Sequence, residues 1–398
     1  MTQSMRLPRR RLAAAGVLFL ALSACSATGE QDSSSSRPSE ATASDGSHGG
    51  HDAEGAASAP KPLRAGERRV TLRMPEPYEP SAPTGVGTDD YRCFLLDPRL
   101  EHDTYLTGTN VLPGNPDLVH HVILFRVPPD QVARAESMDA ATTGQGWTCF
   151  GGTGLDPVES LDDAPWLGAW APGGAETVNQ AGYGVRLDKG SRIVMQVHYN
   201  LLAGTDEDVS ATQLRLAPAD QRLTEVRTML LPAPVELPCR PAHDDAALCD
   251  RDAAVADVKE RFGQAGSTAD GLYFLCGGRP RPGNVQSCTR TLSEPATLRG
   301  AAGHMHLLGR SIRIEVNPGT ARAKTVLDIP VWDFDNQGAK PVSPYRLRAG
   351  DTVKVTCRHV QWLRDELPAF EGQPDRYVVW GEGTTDEMCL GIMQVTGS

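Results

Sequence analysis

From residue 69 onward, apolar side chains come in short runs closed by Pro, Gly, Asn or Asp. The stretch "RVTLRMPEPYEP" opens with period-two alternation. "HHVILFRV" is a β-branched run stopped by Pro128 and Pro129, and "SRIVMQVHYNL" is followed by turn residues at Gly204 and Asp206. A second set follows in "TEVRTMLLPAPVELP", "RSIRIEVNPG", "AKTVLDIPVWDFD" and "DTVKVTCRHVQW". Runs of this length and composition predict strands. Only "DRDAAVADVKERFGQA", residues 250–265, has helical spacing. A chain of 398 residues exceeds one ordinary core. The expected fold is therefore all-β, with two consecutive antiparallel β-sandwich, jelly-roll-like domains, 69–222 and 223–398. Segment 236–287 is irregular, has four cysteines within or beside it, and reads as a disulfide-stapled insertion.

The N-terminus changes the picture. Arg6, Arg9, Arg10 and Arg11 precede the short apolar run "LAAAGVLFLAL", which ends in "LSAC". This is the layout of a secretory leader over residues 1–24, and it resembles a bacterial lipobox, with Cys25 as the lipidated residue. Residues 25–68 are rich in Ser, Ala, Gly and Pro and poor in large apolar side chains, so they read as a disordered tether. His48 and His51 fall in it, as solvated linker residues or as metal collectors. The expected location is extracytoplasmic, on a bacterial membrane through the lipid alone. No other stretch approaches the ~20 apolar residues of a membrane span.

The chain carries 39 Lys+Arg against 50 Asp+Glu, and 35 against 50 without the leader arginines. That balance argues against nucleic acid as a partner, since phosphates call for basic surfaces. Eight cysteines remain after Cys25: Cys93, Cys149, Cys239, Cys249, Cys276, Cys288, Cys357 and Cys389. An even number in an exported chain predicts disulfides, and the absence of close Cys-x-x-Cys pairs argues against a zinc site.

The ten histidines are distributed unevenly. In "GHMHLLG", His304 and His306 are two apart, which in a strand places both imidazoles on one face, with Gly303 and Gly309 giving room around them. His120 and His121 are adjacent, so they could ligate one ion only at a strand end or a bulge. His198 closes the run "RIVMQVH". Taken singly, each can be a metal ligand or an ordinary polar residue.

Their order suggests more. "HHVILF", "QVHYN", "GHMHLLG" and "GTTDEMC" follow one another along the chain. This resembles the type II, ascorbate-dependent copper monooxygenases, the family of peptidylglycine α-hydroxylating monooxygenase and dopamine β-monooxygenase, over most of residues 75–395. The resemblance implies an oxidoreductase with two coppers. His120, His121 and His198 would hold the electron-transfer copper. His304, His306 and Met388 would hold the copper that meets O₂, the thioether favouring Cu(I). It also implies ascorbate as reductant, hydroxylation of a small substrate at a C–H bond, and the disulfides Cys93–Cys149 and Cys357–Cys389. The pairing of Cys239, Cys249, Cys276 and Cys288 stays open among three possibilities. The chain departs from the family at Val127, where a cysteine is frequent. It departs again at Ala302, Leu390 and Ile392, where the peptidylglycine enzyme has its carboxylate-gripping residues. A peptidylglycine substrate is therefore not expected. The alternative reading is an extracytoplasmic copper-binding carrier with no hydroxylase activity.

Overall fold

The computed structural model describes residues 60–83, 88–155, 161–334 and 336–397. The leader, Cys25, His48 and His51 lie outside them. Of the described residues, 41% are strand and 16% helix, so the fold is all-β, as the apolar pattern predicts.

In the first half, a five-stranded antiparallel sheet runs in the order Trp147–Thr148, Asp89–Leu96, Arg192–Asn200, Val119–Val127, Trp166–Trp170. Phe94, Val122, Leu124, Met195 and Val197 from this sheet pack with Leu106, Leu187, Leu214 and Leu216 of a second sheet. That second sheet starts at Arg68–Arg73 and continues through Ala211–Pro218, Thr104–Leu112 and Tyr183–Leu187. It does not stop at the expected boundary. Thr224–Pro232 joins Tyr183–Leu187 in parallel, through Thr224 opposite Tyr183 and Glu225 opposite Gly184. Leu390–Gly397, Ala296–His304 and Lys340–Leu347 then complete a nine-stranded sheet, counting the side strand Thr177–Val178.

In the second half, Val285–Thr291, Thr352–His359, Gly309–Val316 and Lys324–Ile329 form a four-stranded sheet. Its Ile312, Ile314 and Val355 share a core with Leu298, Ala301, Met393 and Val395 of the large sheet. Each fully buried aliphatic side chain of this kind contributes about 1.5–3 kcal/mol. Two sandwich cores thus share one long sheet.

The insertion holds the helix Arg251–Phe262, whose start is capped by the Asp250 carboxylate accepting from the Ala253 amide at 2.9 Å. A second helix, Thr268–Cys276, and a third, Val132–Ala140, carry no clear helical pattern in the sequence. Four disulfides form: Cys93–Cys149, Cys239–Cys249, Cys276–Cys288 and Cys357–Cys389. The first and last are the pairs implied by the resemblance, and the middle two resolve the open pairing. Glu236 gathers the insertion from a buried position, accepting from Arg251 and from the hydroxyls of Tyr273 and Tyr377. Ordered contacts begin before the first strand: the Glu67 carboxylate accepts from Arg215 Nε at 2.6 Å and from Thr107 Oγ1 at 2.8 Å.

Candidate metal centre

Adjacent residues in a regular strand point to opposite faces, so His120 and His121 need a local irregularity to converge. The chain supplies one. Val119–Val127 pairs with Arg192–Asn200 so that Val119 faces Tyr199 and His121 faces His198, and the register slips between Val119 and His121. His120 is the extra residue of a β-bulge, which turns its ring onto the side of its neighbour. The result is a triangle of nitrogens. His120 Nδ1 lies 3.2 Å from His121 Nδ1 and 3.1 Å from His198 Nδ1, and the third side, His121 to His198, is 3.2 Å.

The surroundings set the chemistry of this triangle. His198 Nε2 lies 2.8 Å from Asp89 Oδ1, so the ring donates outward and presents its Nδ1 lone pair inward. Burial would raise the Asp89 carboxyl, but the hydrogen bonds from His198 and Thr384 win and hold it well below the usual carboxylate range. Burial pushes the rings of His120 and His121 well below their ordinary pKa, and the neighbouring His198 adds to this. Neutral imidazoles whose Nδ1 atoms face each other satisfy one another poorly. A proton between two of them leaves the third unanswered, whereas one cation at the centre answers all three. The size also fits: nitrogens 3.1–3.2 Å apart could all reach one ion at the normal metal–imidazole distance of ~2.0 Å. An all-imidazole set suits copper, zinc, iron or nickel. It is the one cluster of three or more such donors among the described residues.

His304 and His306 meet close by, but not as the period-two argument expects. The strand Ala296–His304 ends at His304, and His306 lies in the turn beyond it. The turn is shaped by a carboxylate. Glu387 accepts from the His306 amide at 3.0 Å and from the Leu308 amide at 2.5 Å. This folds the two rings to 5.1 Å apart, edge to face. The flanking glycines serve packing and not the imidazoles. A Cβ on Gly303 would lie 2.7 Å from Ile312 Cγ2, and one on Gly309 would lie 2.9 Å from Met305 Cβ and from Trp332 Cδ1.

His304 has a defined tautomer. Its Nδ1 lies 2.7 Å from Gln337 Oε1, while Gln337 Nε2 donates to the Phe334 carbonyl at 2.8 Å. The Gln337 oxygen therefore faces the ring and accepts its proton, which leaves His304 Nε2 as the free donor atom. Burial brings the His304 ring down to about 3, and it lowers His306 as well.

Met388 is buried, two residues before Leu390, which stands opposite His304 in the sheet. Its backbone is fixed at both ends: the amide donates to Glu387 Oε2 at 3.2 Å, and the carbonyl accepts from His359 Nε2 at 3.1 Å. Cys389 beside it is tied to Cys357. The two histidine groups abut, with the rings of His121 and His304 5.9 Å apart. Phe334 stacks on His120 at 4.7 Å from the loop that also supplies Gln337.

Comparison with known proteins adds little. No family model matches the chain, and no curated protein matches it. Among solved structures, the chain overlays on a xanthan lyase of Paenibacillus with a TM-score of 0.17 and 12% identity, over 83% of this chain and 25% of that one. It overlays on the VP2 subviral particle of infectious bursal disease virus with a TM-score of 0.19 and 8% identity, over 86% and 74%. For procruciferin of Brassica napus the TM-score is 0.15 and the identity 12%, over 85% and 84%. The chain thus spans a quarter of the length of the xanthan lyase, and overlays this loose carry no functional inference.

Several residues of the site have no signal in the sequence. Asp89, Tyr91, Phe334, Gln337 and His359 reach it through strand pairing and loops. Glu387 stands within the quoted "DEMC" but its task, holding the turn at His306, is visible only in three dimensions.

Proposed function

We propose that the protein is an extracytoplasmic, lipid-anchored copper monooxygenase that hydroxylates a C–H bond of a small apolar substrate. The reading rests on one observation: three imidazole Nδ1 atoms converge within hydrogen-bonding distance of one another, beside a second histidine pair linked through Glu387 to Met388. Two dissimilar donor groups side by side suit a redox enzyme better than a carrier.

His120, His121 and His198 would hold one copper, and His304, His306 and Met388 the other. Copper bound there supplies one-electron redox chemistry and O₂ activation, with ascorbate or a similar reductant as electron source. The overall balance is substrate C–H, O₂, two electrons and two protons in, alcohol and water out. The chain's own part is orientation. Asp89 keeps the His198 proton on Nε2, and Gln337 keeps the His304 proton on Nδ1, so each ring offers one set nitrogen. Glu387 and His359 fix the backbone on either side of the Met388 side chain. His304 shares its sheet face with apolar residues, which would suit an apolar substrate. Ala302 stands opposite Ile392 and His304 opposite Leu390, so all four share one sheet face. Four disulfides suit an oxidising compartment, in keeping with export.

The test is copper stoichiometry of the purified full chain after loading and dialysis, followed by O₂ uptake with ascorbate and a panel of apolar substrates. Two coppers per chain with substrate-dependent product formation is the expected result. One copper, displaced by His120→Ala and with no turnover, would replace this reading with a copper carrier built on the three-histidine cluster. No bound copper would leave a structural sandwich.

A further inference from the structure

The proposed function assigns the two histidine groups to two coppers but leaves them independent. The structure links them. Asp89 is buried, and its Oδ1 accepts from three donors: His198 Nε2 at 2.8 Å, the Thr384 amide at 3.0 Å and Thr384 Oγ1 at 2.7 Å. The first donor belongs to the three-histidine cluster. The other two belong to the segment that leads, four residues on, to Met388. A second contact runs in parallel. The Tyr91 ring stacks on His198 at 4.0 Å and 13°, and its hydroxyl donates to the Glu382 carbonyl at 2.6 Å. The edge and the face of one imidazole are thus both held by residues fastened to 382–384. The far end of the segment is clamped equally well, since Asp386 is gripped by Arg261 and Arg376, and Glu387 holds the His306 turn. A short segment fixed at both ends transmits displacement and does not absorb it.

We propose that Asp89 is a positioning residue for both sites, a strut that couples loading of the three-histidine site to the placement of Met388 through Thr384. This rests on the two-copper reading above. An ion bound at the three Nδ1 atoms fixes the His198 ring, which fixes the Asp89 carboxylate, which fixes Thr384 and the segment behind it. Linkage is reciprocal, so an ion at the second site tightens the first by the same factor.

The experiment uses Cu(I) titrated against a chromophoric chelator, on the full chain. Second-site affinity is measured in His120→Ala, where the first site is disabled, and in the parent with its first site filled. First-site affinity is measured with and without His304→Ala. The expected result is a tightening of at least about 5-fold, equal in both directions, within the range normal for coupled sites. In Thr384→Val, which removes the hydroxyl and keeps the volume, the factor falls, and the backbone amide at 384 and the Tyr91 contact hold what remains. In Thr384→Ser, which restores the hydroxyl, it returns. Asp89→Asn lowers first-site affinity by about 10- to 100-fold, as loss of an outer carboxylate does. Two sites that both fill, with affinities independent of each other, overturn the strut and leave the enzyme reading intact. A coupling factor unchanged in Thr384→Val also overturns it. Absence of copper from both sites overturns the strut and the proposed function together.

Discussion

Glu387 offers the sharpest quantitative test of how the second site is built. Its side chain is fully buried, and its two oxygens face four donors. Oε1 accepts from the Leu308 amide at 2.5 Å, and Oε2 from the His306 amide at 3.0 Å, the Met388 amide at 3.2 Å and, shared with the Met388 carbonyl, His359 Nε2 at 3.2 Å. Burial would raise this carboxyl, but His359 and the backbone donors prevail and lower it. Glu387→Gln is nearly isosteric and replaces one acceptor with an NH₂ group. If the remaining oxygen takes the Oε2 position, three bonds survive without charge assistance and the NH₂ faces the Leu308 amide. The opposite orientation sacrifices three bonds to keep one. In the better orientation, one charge-assisted bond is lost at ~1.5–3 kcal/mol, and three are weakened by roughly half. The expected cost is about 4–7 kcal/mol in urea unfolding of the metal-free protein. If the sites bind copper as proposed, affinity falls at the His304–His306 site, and the three-histidine site loses only the share that its coupling to that site supplies. A change below about 1 kcal/mol would refute the claim that this carboxylate shapes the turn.

Acid should destabilise the metal-free protein earlier than carboxylate titration alone would. His120, His121, His304 and His306 are held below their unfolded pKa of about 6.5, so the unfolded chain binds protons that the fold refuses. Stability therefore drops as pH falls below about 6.5, while the contribution of depressed carboxylates such as Asp386 is lost only below about 4; a melting temperature flat between pH 7 and 5 would contradict this. With both sites loaded with Cu(II), the 5.9 Å approach of His121 to His304 should give magnetic broadening in electron paramagnetic resonance. A spectrum equal to the sum of the singly loaded forms would show that the sites stand apart. Removing Cys276–Cys288 as a double alanine variant should cost ~2–4 kcal/mol and leave copper content unchanged, since that bridge staples the insertion. Phe334→Ala should loosen His120, raising the exchange rate of first-site copper measured by chelator competition, with stoichiometry retained.

Most of the fold is legible in the sequence because strands announce themselves locally. "HHVILFRV", "SRIVMQVHYNL" and "DTVKVTCRHVQW" became Val119–Val127, Arg192–Asn200 and Thr352–His359. The helix Thr268–Cys276 was not legible, because its Gly271 and apolar tail "LYFLC" hide the helical period. The site was legible only where its residues are close in sequence. The adjacency of His120 and His121 already demands a bulge, and one is present. The pair at His304 and His306 misleads, because a turn held by Glu387 imitates what strand alternation would give. Asp89 carries no signal: 109 residues separate it from His198 and 295 from Thr384, and only sheet pairing and the overlying segment bring them together.

The shared sheet explains why such distant residues can be held so tightly. If each sandwich closed on itself, the two histidine groups would sit on separate bodies, and their spacing would depend on a hinge. Here Thr224–Pro232 pairs with Tyr183–Leu187 on one side and with Leu390–Gly397 on the other. Leu390–Gly397 follows Met388 directly and lies against the strand that ends in His304. Backbone hydrogen bonds therefore run without interruption from the second sheet of the first sandwich, against which the sheet bearing His120, His121 and His198 packs, to the strand beside Met388. The buried carboxylates Asp89 and Glu387 then set the last few ångströms, each by accepting from an imidazole and from backbone amides. Sheet pairing fixes the strands, and paired carboxylates fix the rings, which is the division of labour that a site of two preorganised donor groups requires.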